Sequence, residues 1–571
     1  MVTKKAEPAL AAVDTALSEL VEGEKRWAAT SLTGRRALLD RVRELTGRHA
    51  QEWVDAAVGI KGLAASSPLV GEEWISGPYV MAAGLGALSK TLDVLARGES
   101  PLDKATFGIA GDRVTVDVLP ASPFDALLLN GFSAKVWLRR GVSTAAAKAN
   151  AGLAQLDPRR TQGIGAVLGA GNITSIAPLD VLYELIAHNR VVALKLNPIT
   201  DPMLPILGKI LAPLIELGAV RLLTGGAEVG GYLIDNDLVD HVHMTGSART
   251  HDAIVWGTGA EAAERKRAGT PKLTKPVTSE LGGVSPTIVL PGDWSAADIA
   301  FQAEHVATQR LHNGGYNCVA AQAMIISADW AQKDQFLAAV RTALANAPAR
   351  PAYYPGSDDR LARACESYPR AERLGRGGER VLVTGITASP AEPLLAEEYF
   401  APVLGVVELP GTGTEFARAA ARTANDAFVG TLGVNIIAKP DTIDELGASF
   451  DELIEDLRYG TVAINAWTGV GYLTPTASWG AFPGHTIDDV QSGIGVVHNA
   501  WLIDLVERTV VRGPFRPAPR SVLHGELAIS PKPPWFVGNK TAASTGRLLA
   551  GFGAEPGWLR LPQIFASALR G

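Results

Sequence analysis

The chain has 571 residues, of which 47% are hydrophobic and 20% charged, and a formal net charge of −6. At roughly 150 residues per domain this length admits two to four domains, and so apolar a composition excludes a disordered protein. The mildly acidic balance provides no basic stripe for a phosphate backbone, which argues against nucleic acid and for a small-molecule partner.

Two cysteines, Cys318 and Cys365, cannot make a disulfide framework in a chain this long, which points to a reducing compartment. The start, Met1 to Pro8, has lysines with no apolar run behind them, so no secretory signal is expected. The most apolar long stretch, residues 206–223, is interrupted by Lys209, Pro213, Glu216 and Arg221. A membrane span needs about 20 mostly uncharged residues. A soluble, cytoplasmic protein without a membrane partner is expected.

In chain order, Leu10, Val13, Leu17, Leu20 and Val21 form one helical stripe, and Thr33 caps a second helix carrying Leu38, Leu39, Val42 and Leu45. These read as covering helices. Residues 113–118 alternate like a strand, and residues 127–137 offer more extended structure before an Ala-rich linker. The region from about 111 to 160 is expected to form an arm outside the main body.

From Ile164 the pattern becomes regular. Strands at residues 166–168, 191–194, 220–223 and 241–244 alternate with helices at 179–187, 203–217, near Tyr232 and after Ser247. That alternation predicts a parallel, doubly wound α/β sheet, which binds ligands at the carboxyl ends of its strands. The loops there are residues 169–172, 195–198, 225–230 and 245–247. A second alternating series from about Pro286 to Val497 predicts a second α/β domain, with the boundary near residue 295. The last 70 residues hold prolines at 514, 517, 519, 531, 533 and 534 and the aromatics Trp535, Phe536, Phe552 and Trp558, which predicts an extended segment packed over a surface.

Chemistry concentrates at two points. Cys318 lies in the loop-like stretch His312 to Ala320, and Glu280 precedes it by 38 residues. A thiol for attack and a carboxylate to handle protons are what covalent chemistry at a carbonyl carbon requires. Gly169-Ala170-Gly171 has the first two glycines of a dinucleotide fingerprint and lacks the third. The sequence has no phosphate-binding Walker loop, no nucleophile elbow and no clustered metal-ligand spacing, so no metal is expected.

A set of motifs in fixed order resembles the aldehyde dehydrogenase superfamily: Gly171-Asn172, Val191 to Lys195, Met244 to Ser247, Glu280 to Gly283, Asn313 to Cys318, Glu397 to Val403, and the Asn425 and Asn465 segments. The resemblance implies a doubly wound parallel-sheet cofactor domain (1–122 and 161–295), a second α/β catalytic domain (296–497), and an oligomerisation arm with a C-terminal extension (123–160 and 498–571). It implies NAD(P)-dependent oxidation of an aldehyde to a carboxylic acid. Cys318 would form a thiohemiacetal and then a thioester, the Asn172 amide would hold the oxyanion, and Glu280 would activate the hydrolytic water. Cofactor contacts carried over with it are Lys195, Gly226, Thr245, Gly246, Ser247, Leu281, Gly282, Glu398 and Phe400.

Pro198 stands where the family often has a glutamate that favours a free ribose 2′-hydroxyl, so NAD and NADP both remain open. Other departures are Ala170-Gly171 before Asn172, Tyr316 two positions before the thiol, and Ala401 after Phe400. They mark a divergent branch. An acylating enzyme that resolves the thioester with CoA, and a non-catalytic cofactor-binding scaffold, are the alternative readings. Cys365 reads as apolar filler, and His312 as a helix-end residue. By the same resemblance the chain forms a homo-oligomer, dimer or tetramer, through exchanged strand arms.

Overall fold

A computed structural model describes residues 7–571. Met1 to Ala6, which carry the first two lysines, lie outside them. Two sheets organise the molecule. The smaller runs in the spatial order Gly493–Ile494, Val277–Leu281, His241–Gly246, Ile164–Leu168, Val191–Lys195 and Val220–Leu223. All its pairings are parallel except that of the short edge strand Gly493–Ile494. Its central strands are continuous β-branched and aliphatic runs, as residues buried on both faces require; Val191, Val192, Ala193 and Leu194 are fully buried. The expected doubly wound α/β sheet is present.

Helices Glu7–Ala29 and Leu32–Arg48 cover this sheet with the stripe read from the sequence, Val13, Leu17, Leu20, Leu39 and Val42 all having no exposure. On another side packs helix Ile176–Ile186, every residue of which is buried, including Asp180 and Glu184. The helix expected over 203–217 is instead three pieces, a 3-10 turn Pro198–Met203 and helices Leu204–Ile210 and Ala212–Leu217. Pro213 has no backbone N–H to give a continuing helix, and it sits in the first turn of the last piece, where none is needed.

The larger sheet has eleven strands: Phe107–Ala110, Arg113–Leu119, Ser133–Leu138, Val506–Arg512, Thr461–Ile464, Gly433–Ile437, Ser285–Val289, Ala321–Ser327, Val403–Leu409, Arg380–Ile386 and Glu372–Leu374. Two boundaries differ from expectation. Ser285–Val289 is hydrogen-bonded between Ala321–Ser327 and Gly433–Ile437, so the chain leaves the smaller sheet at Gly282-Gly283 and not near residue 295. A Cβ on Gly283 would lie 2.9 Å from the Gly430 Cα and 3.0 Å from the Val429 carbonyl oxygen, so only glycine fits this crossing.

Nor do residues 111–160 stand outside the body. Pro123–Leu128 is a helix capped by Ser122, and Ser133–Leu138 pairs antiparallel with Val506–Arg512, which continues the sheet parallel to Thr461–Ile464 of the same chain. Ala134, Val136 and Leu138 alternate into one core with Trp467 and Trp479, and that burial holds the strand down. The C-terminal segment packs as expected but is partly helical: Ala542–Ala554 lies on Val70–Trp74, and Phe536 stacks on Phe301 at 5.3 Å. Val70–Ala96, not 206–223, is the one helical stretch among the described residues long and apolar enough to cross a membrane, and 61% of that window is buried in the protein.

Candidate active site

Helix Ala296–Leu311 ends at His312, and Asn313, Gly314 and Gly315 then take left-handed backbone conformations with φ of 54°, 71° and 82°. This tight reversal swings Cys318 back into the space between the two sheets. Asparagine tolerates such a φ better than most residues. At Gly315 a Cβ would meet the Arg310 carbonyl oxygen at 3.0 Å. The peptide oxygen of Tyr316 is then fixed from two sides, by the Asn172 Nδ2 at 2.9 Å and the Asn313 Nδ2 at 3.0 Å.

The three groups read from the sequence converge here. Asn172 follows the central strand Ile164–Leu168, Glu280 lies near the end of Val277–Leu281, two strands away across His241–Gly246, and Cys318 follows the turn. The Cys318 thiol is hydrogen-bonded to the Glu280 carboxylate, and the Trp479 Nε1–H donates to Glu280 Oε1 at 3.1 Å. Cys318 and Asn172 line one cavity with Ile75, Ile173, Trp467 and Leu473. Burial pushes the Glu280 carboxyl up to about 7 against the hydrogen bonds from Cys318 and Trp479. Burial, and then the Glu280 charge, push the Cys318 thiol well above the ordinary range.

A thiol so placed is protonated and poorly nucleophilic at neutral pH in the protein alone. In a Cys365→Ser background, iodoacetamide should alkylate Cys318 slowly at pH 7, with a rate still rising above pH 9. A midpoint at or below that of an ordinary thiol contradicts this electrostatic picture.

Behind the turn lies a buried ionic cluster that the sequence reading missed. Lys61 Nζ lies 2.7 Å from Glu73 Oε2 and donates to Asn313 Oδ1 at 2.9 Å. The Asn313 backbone N–H donates to Glu72 Oε2 at 2.9 Å, and Arg350 pairs with Glu72. Lys61, Glu72 and Glu73 are each no more than 3% exposed. Burial drives the Lys61 ammonium down and the Glu72 carboxyl up, and the opposite charges of Glu73 and Arg350 resist those shifts. Tyr353 adds a bond from its hydroxyl to the Asn172 carbonyl at 3.0 Å. The amide of Asn172 and the loop of Cys318 thus rest on one polar scaffold. Its members are scattered between positions 61 and 353, so no spacing pattern reveals it.

The expected cofactor residues separate into two sets. Lys195, Gly226, Gly246 and Ser247 lie at the carboxyl ends of the smaller sheet's strands. Gly226 precedes helix Ala227–Asp235 and has open space where a Cβ would stand, and Ser247 caps helix Ala248–Val255. Beside Lys195 is Asp201, with a buried Oδ1 that has no partner; burial lowers the lysine and raises the aspartate, each opposed by the other. From the other side come Gly282, Glu398 and Phe400. A Cβ on Gly282 would fall 2.2 Å from the Glu398 carboxylate, which burial pushes up to about 8 against Arg310.

Thr245 and Leu281 do not present their side chains to this groove. The Thr245 hydroxyl donates to Asp180 Oδ2 at 2.8 Å beneath the sheet, and the Leu281 side chain packs with Met244 and Val490. Strand alternation puts the two side chains on opposite faces of the sheet, each engaged in its own packing. An open helix N-terminus, a lysine beside an unpartnered carboxylate oxygen and a glycine cradle together fit a dinucleotide laid along the strand ends.

Residues 147–357 match the model of the aldehyde dehydrogenase family. Over those residues the chain is similar to the aldehyde dehydrogenase family. The chain is 27% identical over 263 residues to a coniferyl aldehyde dehydrogenase from Pseudomonas sp., an alignment covering 43% of this chain and 51% of that protein. It is 33% identical over 175 residues to an N-succinylglutamate 5-semialdehyde dehydrogenase from Novosphingobium aromaticivorans, covering 30% and 33%. The chain thus spans about half or less of the length of these curated relatives. Its fold matches that of an aldehyde dehydrogenase from Mycobacterium tuberculosis complexed with NAD+, at a TM-score of 0.59 and 17% identity over 88% of this chain and 90% of that one. The aldehyde dehydrogenase fold agrees with the two-sheet architecture expected from the motifs.

Proposed function

We propose that this protein oxidises an aldehyde to a carboxylic acid through a covalent bond to Cys318. The observation that carries the reading is that thiol and amide line one cavity, with the Glu280 carboxylate against the thiol and against Trp479 of the cavity wall, near the strand ends that fit a dinucleotide. Cys318 releases its thiol proton to solvent as the sulfur adds to the aldehyde carbon, and the Asn172 amide with the Cys318 N–H holds the resulting oxyanion. Each such donor contributes about 3 kcal/mol to the transition state. A bound nicotinamide supplies the hydride acceptor that turns the thiohemiacetal into a thioester. Glu280 then takes a proton from water as the water oxygen attacks the thioester carbon, the C–S bond breaks, and the thiol is regenerated with release of the acid. A buried carboxylate titrating near 7 suits that base role, and a resolving CoA thiol would not require it.

The cavity wall supports one substrate class. Ile75, Ile173, Ile176, Trp467 and Leu473 line it, and no lysine or arginine does, which favours an uncharged apolar aldehyde. The unpartnered Asp201 oxygen beside Lys195 supports NAD over NADP, because an acidic residue accepts a free ribose 2′-hydroxyl and repels a phosphate. We place the protein in the cytoplasm. Phe107–Ala110 leaves one edge of the larger sheet unpaired, with Ile109 72% exposed, and that edge supports a homo-oligomer. Sedimentation of a pure monomer at micromolar concentration would remove the last point.

The function is tested by following reduced nicotinamide with aryl and branched aliphatic aldehydes, against succinic semialdehyde, with either cofactor. Aryl aldehydes should give the higher kcat/KM, and NAD should bind more tightly than NADP by fluorescence titration. Cofactor binding without turnover of any aldehyde would sink the enzymatic reading in favour of a scaffold.

A further inference from the structure

Behind the wall of the Cys318 cavity lies a second one. Val80, Leu88, Leu179, Leu182 and Val497 line it, each no more than 8% exposed, where helices Val80–Ala96 and Ile176–Ile186 meet the strand Val496–His498. Of its polar neighbours, Asn499 commits its amide to the Ile503 backbone at 2.7 and 3.1 Å, and His498 places Nε2 3.8 Å from Asp180 Oδ1. The space itself, about 40 Å³, faces mainly hydrocarbon. A cavity of this kind stays dry and takes apolar guests, and the reaction proposed above makes no use of it.

Among the described residues Tyr472 alone lines both cavities. It stands on the short helix Gly469–Leu473. Its ring meets Trp479, of the Cys318 cavity, edge-on at 5.5 Å, and His498, of the second cavity, at 5.0 Å. It packs with Ile173 and Ile176 of the first lining and with the core that holds Val80, Leu88 and Leu182 of the second. The tip is held as well. Ser175 Oγ donates its one proton to the Ser76 carbonyl at 2.5 Å, so the Tyr472 hydroxyl is the donor in its 3.0 Å contact with Ser175 Oγ. A side chain fixed at ring and tip is a rigid partition between the two spaces.

We propose that Tyr472 determines the length of aldehyde that this site accepts. It closes the Cys318 cavity on this side and keeps an alkyl chain out of the apolar space behind, so that compact aldehydes fit and long straight-chain ones do not. The inference rests on the reading of Cys318 as the nucleophile and adds to it a limit on chain length. A single methylene that a pocket cannot place changes kcat/KM by roughly tenfold or more, so a fixed wall produces a sharp cut-off. Removing the ring would join the two cavities into one apolar channel and turn the penalty for extra carbons into a gain from burying them.

In the unaltered enzyme kcat/KM should fall about tenfold or more between hexanal and decanal. In Tyr472→Ala the ratio of kcat/KM for decanal to that for benzaldehyde should rise about tenfold or more. A general loss of folding or of catalysis does not move this ratio, because both aldehydes react at the same thiol. Tyr472→Phe keeps the ring and should keep the cut-off. Leu88→Phe added to Tyr472→Ala refills the second cavity and should cancel the gain. An unaltered enzyme that takes decanal as well as hexanal overturns the proposal without any variant. So does an alanine variant whose ratio stays level, a phenylalanine variant that gains as alanine does, or a gain that survives Leu88→Phe. If no aldehyde of any length is oxidised, it is the chemical reading that fails, and the partition is judged by calorimetric titration of the unreactive hexanamide and decanamide. Affinity should then drop with length in the unaltered protein and not in Tyr472→Ala; equal affinities in the unaltered protein would remove the partition too.

Discussion

Glu280→Gln is expected to complete one round of oxidation and then stall. Acylation of Cys318 requires the thiol and the oxyanion donors, whereas release of the acid requires a base to take the proton of water; glutamine keeps the shape and the hydrogen bond to Trp479 but cannot accept that proton. A burst of reduced nicotinamide equal to the enzyme should appear in stopped flow, with steady turnover about 10²- to 10⁴-fold lower. The sign of the pH dependence follows from the raised carboxyl. Only the ionised form is a base, so steady turnover in the unaltered enzyme should climb as pH rises through about 7 and level off above it. In the variant that limb should vanish. A variant with an unchanged rate, or one that keeps the limb, would show that another group takes the proton.

Lys61→Met is expected to be the most destabilising single replacement around the site. It leaves Glu73 charged and buried, and removes a donor from the Asn313 side chain that anchors both Asn172 and Tyr316. Removing one partner of a buried pair costs about 3–5 kcal/mol. Denaturant unfolding should register a loss of that order, and turnover should fall even where the protein remains folded, because the amide and the thiol lose their common support. Lys61→Met combined with Glu73→Gln should recover a large part of the stability, since the stranded charge is gone. A single-variant loss below about 1 kcal/mol would mean that the cluster contributes nothing beyond packing.

The candidate site residues and the smaller sheet were legible in the sequence because each leaves a local trace. Strand-helix alternation between Ile164 and Ser247 has a fixed period, and Asn172, Glu280 and Cys318 sit in short motifs whose turns need glycine. Which face of a strand a residue takes was not legible at the ends, where alternation runs into loops; Thr245 and Leu281 were therefore assigned to the groove, although Thr245 turns to Asp180 on one face and Leu281 packs with Met244 and Val490 on the other. Pairings across hundreds of residues leave no trace at all. The seating of Ser133–Leu138 on Val506–Arg512, and the meeting of Lys61 with Asn313, follow from tertiary packing alone. The partners of Asp180 were hidden for a related reason: it stands on a helix that otherwise reads as apolar, and only the facing strand gives it Thr245 and His243.

The closure of the larger sheet by Val506–Arg512 also governs when the protein can finish folding. Ser133–Leu138 must wait for a partner strand that begins 368 positions later. At a synthesis rate of about 5–20 residues per second, the nascent chain carries two unsatisfied β-edges, at Ser133–Leu138 and at Thr461–Ile464, the first of them for tens of seconds. Neighbouring chains on the same message present the identical pair of edges during that interval. Premature coupling between copies at these edges is the hazard that this topology predicts during synthesis, and slower initiation or chaperone capture should raise the yield of soluble protein.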